Sequence, residues 1–276
     1  MTTVGQIERI TQNRVVALFQ THLGYDYLGN WEDRENNGNL ETKILHQYLR
    51  KRGYSKLLII KAIHELTRAV TNQSKSLYDL NKDVYSLLRY GVNVKEEVGE
   101  NTRTVKLIDW DNPLENQFAI AEEVTVKGEN DKRPDVVLYV NGIALGVLEL
   151  KRSTVSVSEG IRQNLDNQKQ TFICPFFASI QLIMAGNDTE GIRYGVIETP
   201  EKYWLSWKER SEIENILDRH ITQLCSKERF LELLHDFIVY DRGTKKICRH
   251  NQYFAVNAAQ TSIRKREGGI IWHSQG

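Results

Sequence analysis

The sequence has few cysteines, no long apolar run and almost no net charge. Cys174, Cys225 and Cys248 are far apart and odd in number, which argues against a disulfide framework and a zinc site and fits a reducing cytoplasm. Neither a signal peptide nor an apolar run of membrane-spanning length is visible, so we expect a soluble, cytoplasmic protein without membrane contact. The formal net charge of +1 means that any contact with nucleic acid must use local basic patches.

Internal repeats and low-complexity segments are also absent, and the 276 residues are enough to bury a substantial core. The spacing of apolar residues predicts helices over residues 4–22, 39–52, 56–71, 74–90, 155–169, 209–225, 227–238 and 249–265. Alternation and turn residues predict strands over residues 103–110, 116–126, 135–140, 143–151, 178–185 and 192–198, a loop at 241–246, and a short strand in the ending GGIIWHSQG.

The strands over residues 135–140 and 143–151 are apolar on both faces, which is typical of strands inside a sheet that is covered on both sides. The helix predicted at 155–169 suits a crossover to a parallel strand. We therefore predict an α/β fold with a mixed central β-sheet flanked by helices, and with helical additions at the N and C termini.

Asn141-Gly142 is a strong signal for a β-hairpin between these two strands. A regular two-residue turn sends Asp135 and Glu149 to opposite faces of the sheet. A three-residue loop or a bulge shifts the register by one residue and places Asp135 across from Glu149. Because both strands are apolar on both faces, the hydrophobic pattern does not choose between the registers, whereas a metal site requires the shifted one.

Asp135, Glu149 and Lys151 carry the chemistry of the shifted hairpin. Glu149 and Lys151 share a face because side chains alternate along a strand. The two carboxylates offer oxygen ligands suited to Mg²⁺, and the carbonyl of Leu150 could be a further ligand. The metal would polarise a phosphate and lower the pKa of bound water, while Lys151 orients that water or stabilises developing charge. Alternatively, Asp135 is a strand-edge residue after Pro134, and Glu149 and Lys151 form an exposed ion pair.

Pro134-Asp135, thirteen intervening residues and Glu149-Leu150-Lys151 resemble the PD-(D/E)-x-K motif of a nuclease superfamily. The surrounding RPDVVLYVNGIALGVLELKR, the following helix with Gln163 and the ending GGIIWHSQG look like the N-terminal nuclease region of the restriction (motor) subunit of type I restriction-modification enzymes. The resemblance implies a restriction-endonuclease-like core and a Mg²⁺-dependent endonuclease that cuts double-stranded DNA after ATP-driven translocation by a helicase motor. The implied partners are the methyltransferase (modification) and specificity subunits of the restriction complex.

The resemblance also implies roles for further residues. Many members carry a Q-x-x-x-Y motif on the helix after the nuclease strands; here the glutamine is Gln163, a candidate catalytic or DNA-positioning residue, and the tyrosine position is Asn167. In related nucleases an acid from an early helix approaches the metal, and Glu41 is the candidate here, although a Glu in a first helical turn also favours the helix dipole. Glu122 and Glu123, in the strand before the motif, are further candidates.

The C-terminal stretch resembles the start of an ATPase motor. In RHNQYFAV, Gln252 corresponds to a glutamine that reads adenine, and GGIIWHSQG looks like the strand that leads into the phosphate loop. The Gly-Lys-Ser/Thr of that loop is absent, so we expect a piece of a longer protein that binds ATP poorly by itself. The implied organisation is a helical N-terminal part (1–95), a nuclease core (96–205), a helical extension (206–248) and the start of the motor (249–276).

Two other functions are compatible with these patterns. A non-catalytic assembly or DNA-binding module could dock the motor on the methyltransferase core, with its acids serving only structure. A free-standing modification-dependent nuclease would share the motif, but the motor-like C-terminal stretch argues against it. Replacing Lys151 distinguishes the nuclease from the docking module.

Overall fold

A seven-stranded mixed β-sheet forms the centre of the computed structural model, which describes residues 4–72, 74–97 and 99–272. Within these residues the helices are α1 (Val4–Thr21), α2 (Thr42–Lys51), α3 (Lys56–Val70), α4 (Leu77–Tyr90), α5 (Val157–Asn167), α6 (Ile216–Cys225), α7 (Lys227–Asp236) and α8 (His250–Lys265). The strands are β1 (Asp26–Asn30), β2 (Val92–Val94), β3 (Arg103–Val105), β4 (Phe118–Glu122), β5 (Val136–Val140), β6 (Ile143–Leu150), β7 (Leu182–Asn187), β8 (Gly191–Gly195), β9 (Leu205–Ser206), β10 (Ile238–Asp241) and β11 (Thr244–Ile247).

The central sheet has the strand order β1-β4-β5-β6-β7-β8-β9. β1 and β4 pair in parallel, as do β6 and β7, and the other neighbours are antiparallel. The connection from β6 to β7 runs through α5, as expected for a crossover between parallel strands. The predicted α/β fold with a mixed sheet between helices is therefore confirmed.

Two apolar cores, one on each face, hold the sheet. The larger core joins α1, α2, α3, α4, α6 and α7 to residues such as Leu138 and Leu148. The other core joins α5 and the segment 173–180 to residues such as Val137 and Val147. Every residue of β4, β5 and β6 is buried. Burial on both faces explains why the sequences of these strands are almost uniformly apolar.

The turn between β5 and β6 is buried and held by its asparagine. Asn141 and Gly142 both have positive φ angles, 52° and 81°, as a two-residue type I′ turn requires. Asn141 Nδ2 donates to the carbonyl oxygen of Leu107 at 3.0 Å and to Asn116 Oδ1 at 2.8 Å. Its Oδ1 accepts from the amide of Gln117 at 2.8 Å. The turn predicted from Asn141-Gly142 is therefore present and anchored.

Leu145 is an extra residue in β6. Ala144 pairs with Tyr139, whereas Gly146 pairs with the neighbouring Leu138, so that no residue of β5 faces Leu145. Two residues opposite one are a β-bulge, and beyond it the register is shifted by one position. The bulge that a metal site at this hairpin requires is confirmed.

The N-terminal part is less purely helical than predicted for residues 1–95. β1 lies there and forms an edge of the central sheet, parallel to β4. Its sequence DYLGN is polar at both ends and carries no apolar alternation. Pairing with a strand distant in the chain, rather than local pattern, makes it a strand. The strand predicted over 103–110 ends at Val105.

The C-terminal part differs at three places. The helix predicted from residue 209 begins at Ile216, because Asn215 caps it and its Oδ1 accepts from the amide of Asp218 at 3.0 Å. The loop predicted at 241–246 is largely a hairpin turn and β11, with positive φ at Arg242. Residues 267–272 form no strand, and the rest of the strand predicted in the ending lies outside the described residues.

Candidate active site

Asp135 and Glu149 meet at the end of the β5–β6 hairpin that lies away from the turn. Val137 of β5 and Val147 of β6 both pack in the core under α5. Side chains two positions apart along a strand lie on the same face. Asp135, two residues before Val137, and Glu149, two residues after Val147, therefore lie on this face together. The amide of Leu150 donates to Asp135 Oδ2 at 2.6 Å. The structure thus brings the two predicted ligand carboxylates together.

Lys151 adds a cation to this pair. Its Nζ lies 2.9 Å from Glu149 Oε1, and the two side chains form a salt bridge. Glu149 is fully buried, whereas Asp135 and Lys151 are partly exposed. The alternative of an exposed Glu149-Lys151 ion pair is therefore wrong, because the acid lies inside the protein.

Burial disfavours the charged forms of both acids. It raises the pKa of Asp135 to about 6, against the opposing effects of the Lys151 charge and the hydrogen bond from Leu150. Burial first, and the charge of Asp135 second, raise the pKa of Glu149 well above its ordinary value. Glu149 Oε2 is buried and receives no hydrogen bond from an N–H or O–H donor of the described residues, and the carboxyl group of Asp135 lies against that of Glu149. When both carboxyl groups are ionised, their two negative charges exceed the single positive charge of Lys151.

This donor set suits Mg²⁺. In the part of the chain that the structure describes, no group of three or more His, Cys, Asp or Glu side chains is arranged to hold a metal ion. Mg²⁺ commonly takes one or two carboxylates from a protein and completes its octahedron with waters and phosphate oxygens. Asp135 and the buried Oε2 of Glu149 meet that requirement. The carbonyl of Leu150 stays a predicted ligand.

The carboxylates lie in a polar cleft of about 450 Å³, and Gln163 of α5 lines one side of it. Gly160, one turn earlier on α5, lies close to the sheet: a Cβ atom there would be 3.1 Å from Ala185 Cβ and 3.6 Å from Glu149 Cγ. The absent side chain lets α5 approach β6 and brings Gln163 to the carboxylates. Asn167 is buried and does not line the cleft.

The first helix brings residues to the cleft that the sequence patterns did not indicate. Arg9 and Gln12 of α1 line it. Gln12 Nε2 donates to Glu122 Oε2 at 2.9 Å, and the hydroxyl of Tyr27 donates to Glu122 Oε1 at 2.7 Å. Glu122 therefore fixes α1 and β1 onto β4 and does not line the cleft. The sequence did contain one indication of this contact: Gln12 is a polar residue on the same face of α1 as the apolar Val15.

Residues 123–134, which we call the β4–β5 arm, form a further wall of the cleft. Glu123 has a positive φ of 51°, and its amide donates to the carbonyl oxygen of Asp135 at 2.9 Å. Its Oε2 lies 2.8 Å from Arg133 Nε, and both side chains line the cleft. Asn130 Nδ2 donates to the carbonyl oxygen of Thr171 at 2.8 Å, which joins the arm to the turn after α5.

Gly128 fixes the arm by a close contact. A Cβ atom at this position would lie 2.2 Å from the carbonyl oxygen of Phe172. Gly128→Ala is therefore expected to push the arm off the turn after α5 and to lower the free energy of unfolding by about 1–3 kcal/mol, measured by urea denaturation. Gly38→Ala is the control, because nothing lies within 4 Å of a Cβ atom there. Equal stability of the two variants would contradict the contact.

Glu41 and Gln252, which were also predicted as site residues, lie in other parts of the molecule. The amide of Glu41 donates to the carbonyl oxygen of Gly142 at 2.7 Å, and its carboxylate pairs with Arg34 at 2.8 Å. Glu41 thus lies at the turn end of the hairpin, about 20 Å along β6 from the carboxylates. The structure does not bring it to the site. Gln252 lies in the first turn of α8, where its Oε1 accepts from the amide of Arg249 at 2.8 Å.

Comparison with known proteins identifies the family of this chain. The model of the family described as type I restriction enzyme R protein N terminus matches residues 6–202. The chain belongs to this family. Over 76% of its length it is 28% identical to the putative type I restriction enzyme MjaIXP endonuclease subunit of Methanocaldococcus jannaschii. Over 100% of its length it is 26% identical to the type I restriction enzyme HindI endonuclease subunit of Haemophilus influenzae.

These relatives of the R protein N-terminal family are much longer than the chain. The matches cover 24% of the archaeal subunit and 29% of the bacterial one, so the chain spans about a quarter of the length of the curated relatives it matches. The family match includes α1 from residue 6 onward, the whole β5–β6 hairpin and α5, and therefore every residue described above as lining the cleft. Among the described residues, no helix has the length and apolarity to cross a membrane.

Proposed function

We propose that this chain is the Mg²⁺-dependent DNA endonuclease part of a type I restriction enzyme R subunit. The observation that carries the proposal is the meeting of Asp135, Glu149 and Lys151 in one polar cleft, with Glu149 Oε2 buried and without an N–H or O–H donor among the described residues. Membership in the R protein N-terminal family, and relatives named as endonuclease subunits, support DNA as the substrate.

Each residue has its own role in the proposed hydrolysis of a phosphodiester. Asp135 and Glu149 hold Mg²⁺, which when bound supplies Lewis acidity toward the phosphate and acidifies water. Lys151, held 2.9 Å from Glu149 Oε1, orients the attacking water or stabilises the negative charge that develops on the phosphate. Gln163, on the α5 wall, offers amide hydrogen bonds that position the DNA.

In the full-length subunit, cleavage is proposed to follow ATP-driven translocation by a helicase motor, within a complex that includes the methyltransferase (modification) and specificity subunits. The adenine-reading role of Gln252 remains part of this proposal. Because Gln252 Oε1 accepts from Arg249 in the first turn of α8, the side chain must leave that bond or use its amide nitrogen to meet a nucleotide. The Gly-Lys-Ser/Thr of the phosphate loop is absent from the sequence, so we expect this chain alone to bind ATP poorly.

Cleavage by a Lys151→Ala variant of the full-length subunit tests the nuclease proposal. Lost cleavage with retained ATP hydrolysis supports it. Unchanged cleavage contradicts it and favours a non-catalytic module that docks the motor on the methyltransferase core.

A further inference from the structure

The cations of the cleft differ in whether a nearby acid neutralises them. Lys151 and Arg133 each form a salt bridge with an acid of the cleft. Arg9 and Lys132 line the same cleft but form no salt bridge with any residue that the structure describes. Two positive charges therefore stand without a carboxylate partner beside the proposed metal ligands.

Arg9 is exposed on a helix that is fixed beside the cleft. Gln12 lies three residues later, so both side chains point to the same side of α1. The hydrogen bond of 2.9 Å from Gln12 Nε2 to Glu122 Oε2 is buried and holds this side of the helix onto β4. The guanidinium of Arg9 is thus free to meet a ligand while its backbone is held in place.

Lys132 reaches the cleft from the β4–β5 arm. Its Nζ lies 4.1 Å from the ring centroid of Phe172, a cation–π contact that directs the long side chain. Its amide and carbonyl pair with those of Val126 across the arm at 3.2 and 2.8 Å. The close contact of Gly128 with Phe172 fixes the arm as a whole. A cation positioned in this way loses less conformational entropy when it binds an anion.

We propose that Arg9 and Lys132 bind backbone phosphates of duplex DNA next to the phosphodiester that Asp135 and Glu149 engage. This inference rests on the proposed nuclease function. The neighbouring phosphates of the same strand are anions of fixed spacing, and the two unneutralised cations line the same cleft as the carboxylates. Contacts from Arg and Lys to phosphates carry no base information, so this binding is independent of sequence.

The dependence of DNA affinity on salt tests these contacts. Fluorescence anisotropy measures the affinity of the 276-residue chain for a short labelled duplex, with Ca²⁺ in place of Mg²⁺, over a series of salt concentrations. Arg9→Gln and Lys132→Gln are each expected to weaken binding roughly 3- to 10-fold at low salt. Each variant is expected to reduce the slope of log K against log salt by about 0.9, the value of one phosphate contact. A second duplex of different sequence is expected to show the same losses.

Lys202→Gln is the matched control for Lys132→Gln. Lys202 Nζ also lies over an aromatic ring, 4.8 Å from the centroid of Tyr203, but outside the cleft. Arg9→Lys and Lys132→Arg keep the charge and are expected to retain the wild-type slope. Unchanged slopes in both Gln variants, an equal fall in Lys202→Gln, or no measurable binding by the wild-type chain would overturn the proposal.

The nuclease function and the phosphate contacts fail in different experiments. Loss of cleavage in Lys151→Ala together with unchanged salt slopes in the Arg9 and Lys132 variants rejects the contacts alone. Reduced salt slopes together with normal cleavage by Lys151→Ala reject the nuclease role and leave a DNA-binding module.

Discussion

Replacing Lys151 by alanine in the full-length subunit is expected to slow DNA cleavage roughly 100- to 10,000-fold, the range for a positioned group that transfers a proton or stabilises charge. The variant lacks the ammonium group that lies 2.9 Å from Glu149 Oε1 and forms a salt bridge with it. ATP hydrolysis is expected to continue, because Lys151 follows the last residue of β6 and belongs to the nuclease cleft. Single-turnover cleavage of plasmid DNA by the assembled complex, with ATP hydrolysis measured in parallel, checks both expectations.

Two further variants make this experiment specific. Lys169 lies just after α5 and outside the cleft, and its Nζ forms an exposed salt bridge with Asp166 Oδ1 at 2.5 Å. Lys169→Ala therefore removes a paired lysine away from the site and is expected to cleave DNA normally. Lys151→Arg keeps a cation beside Glu149, but a guanidinium does not release its proton. Fast cleavage by Lys151→Arg therefore indicates charge stabilisation, and slow cleavage indicates a role that only the lysine ammonium performs, such as orienting the water. Melting temperatures of all variants exclude unfolding as the cause of lost activity.

Asp135→Asn is expected to abolish Mg²⁺-dependent cleavage and yet to stabilise the metal-free chain at neutral pH. Burial raises the pKa of Asp135 from 3.8 to about 6, so the folded state holds this proton more tightly than the unfolded state. The stability that protonation contributes is fully present below about pH 4 and is lost as the pH rises through about 6. Above that pH the metal-free wild type is less stable than its protonated form. Asparagine, which does not ionise, avoids this loss.

Urea denaturation in the presence of EDTA, between about pH 5 and pH 8, measures this difference. The free energy of unfolding of Asp135→Asn minus that of the wild type is expected to increase with pH. Asp111→Asn, at an exposed position, is the control and is expected to show no such trend. Added Mg²⁺ at about pH 8 is expected to raise the melting temperature of the wild type and not of Asp135→Asn, since the ion binds the folded state through both carboxylates.

Two results would contradict this account. A stability difference that does not change with pH would mean that Asp135 is not held in a surrounding that disfavours its charge. Equal stabilisation of wild type and Asp135→Asn by Mg²⁺ would place the ion somewhere other than between Asp135 and Glu149.

Local patterns in the sequence predicted much of the fold and the core of the site. Helices α2, α3, α4, α5 and α8 lie close to their predicted ranges, because the spacing of their apolar residues and the flanking caps are local signals. The spacing of Asp135, Glu149 and Lys151, and the position of Gln163, named four residues that line one cleft. Their catalytic roles remain predictions.

Features that depend on contacts between distant residues were not predictable in the same way. β1 is a strand because it pairs with β4, and Arg9 reaches the cleft because α1 packs beside that strand. Glu41 lies at the start of a predicted helix, as expected, but that helix packs at the turn end of the hairpin. Helical periodicity predicts which face of α2 is buried, but it does not predict which part of the sheet that face packs against.

Local sequence patterns are enough to name the candidate metal ligands and to place them on or next to two neighbouring buried strands. That Asp135 faces Glu149 does not follow from these patterns, because it depends on one extra residue in β6, Leu145. A shift of one residue exchanges the two faces of a strand, and strands that are apolar on both faces tolerate either register. In the folded sheet, Val137 and Val147 pack in the core under α5, and Leu138 and Leu148 pack in the core on the other face, which is the pairing that the bulge produces.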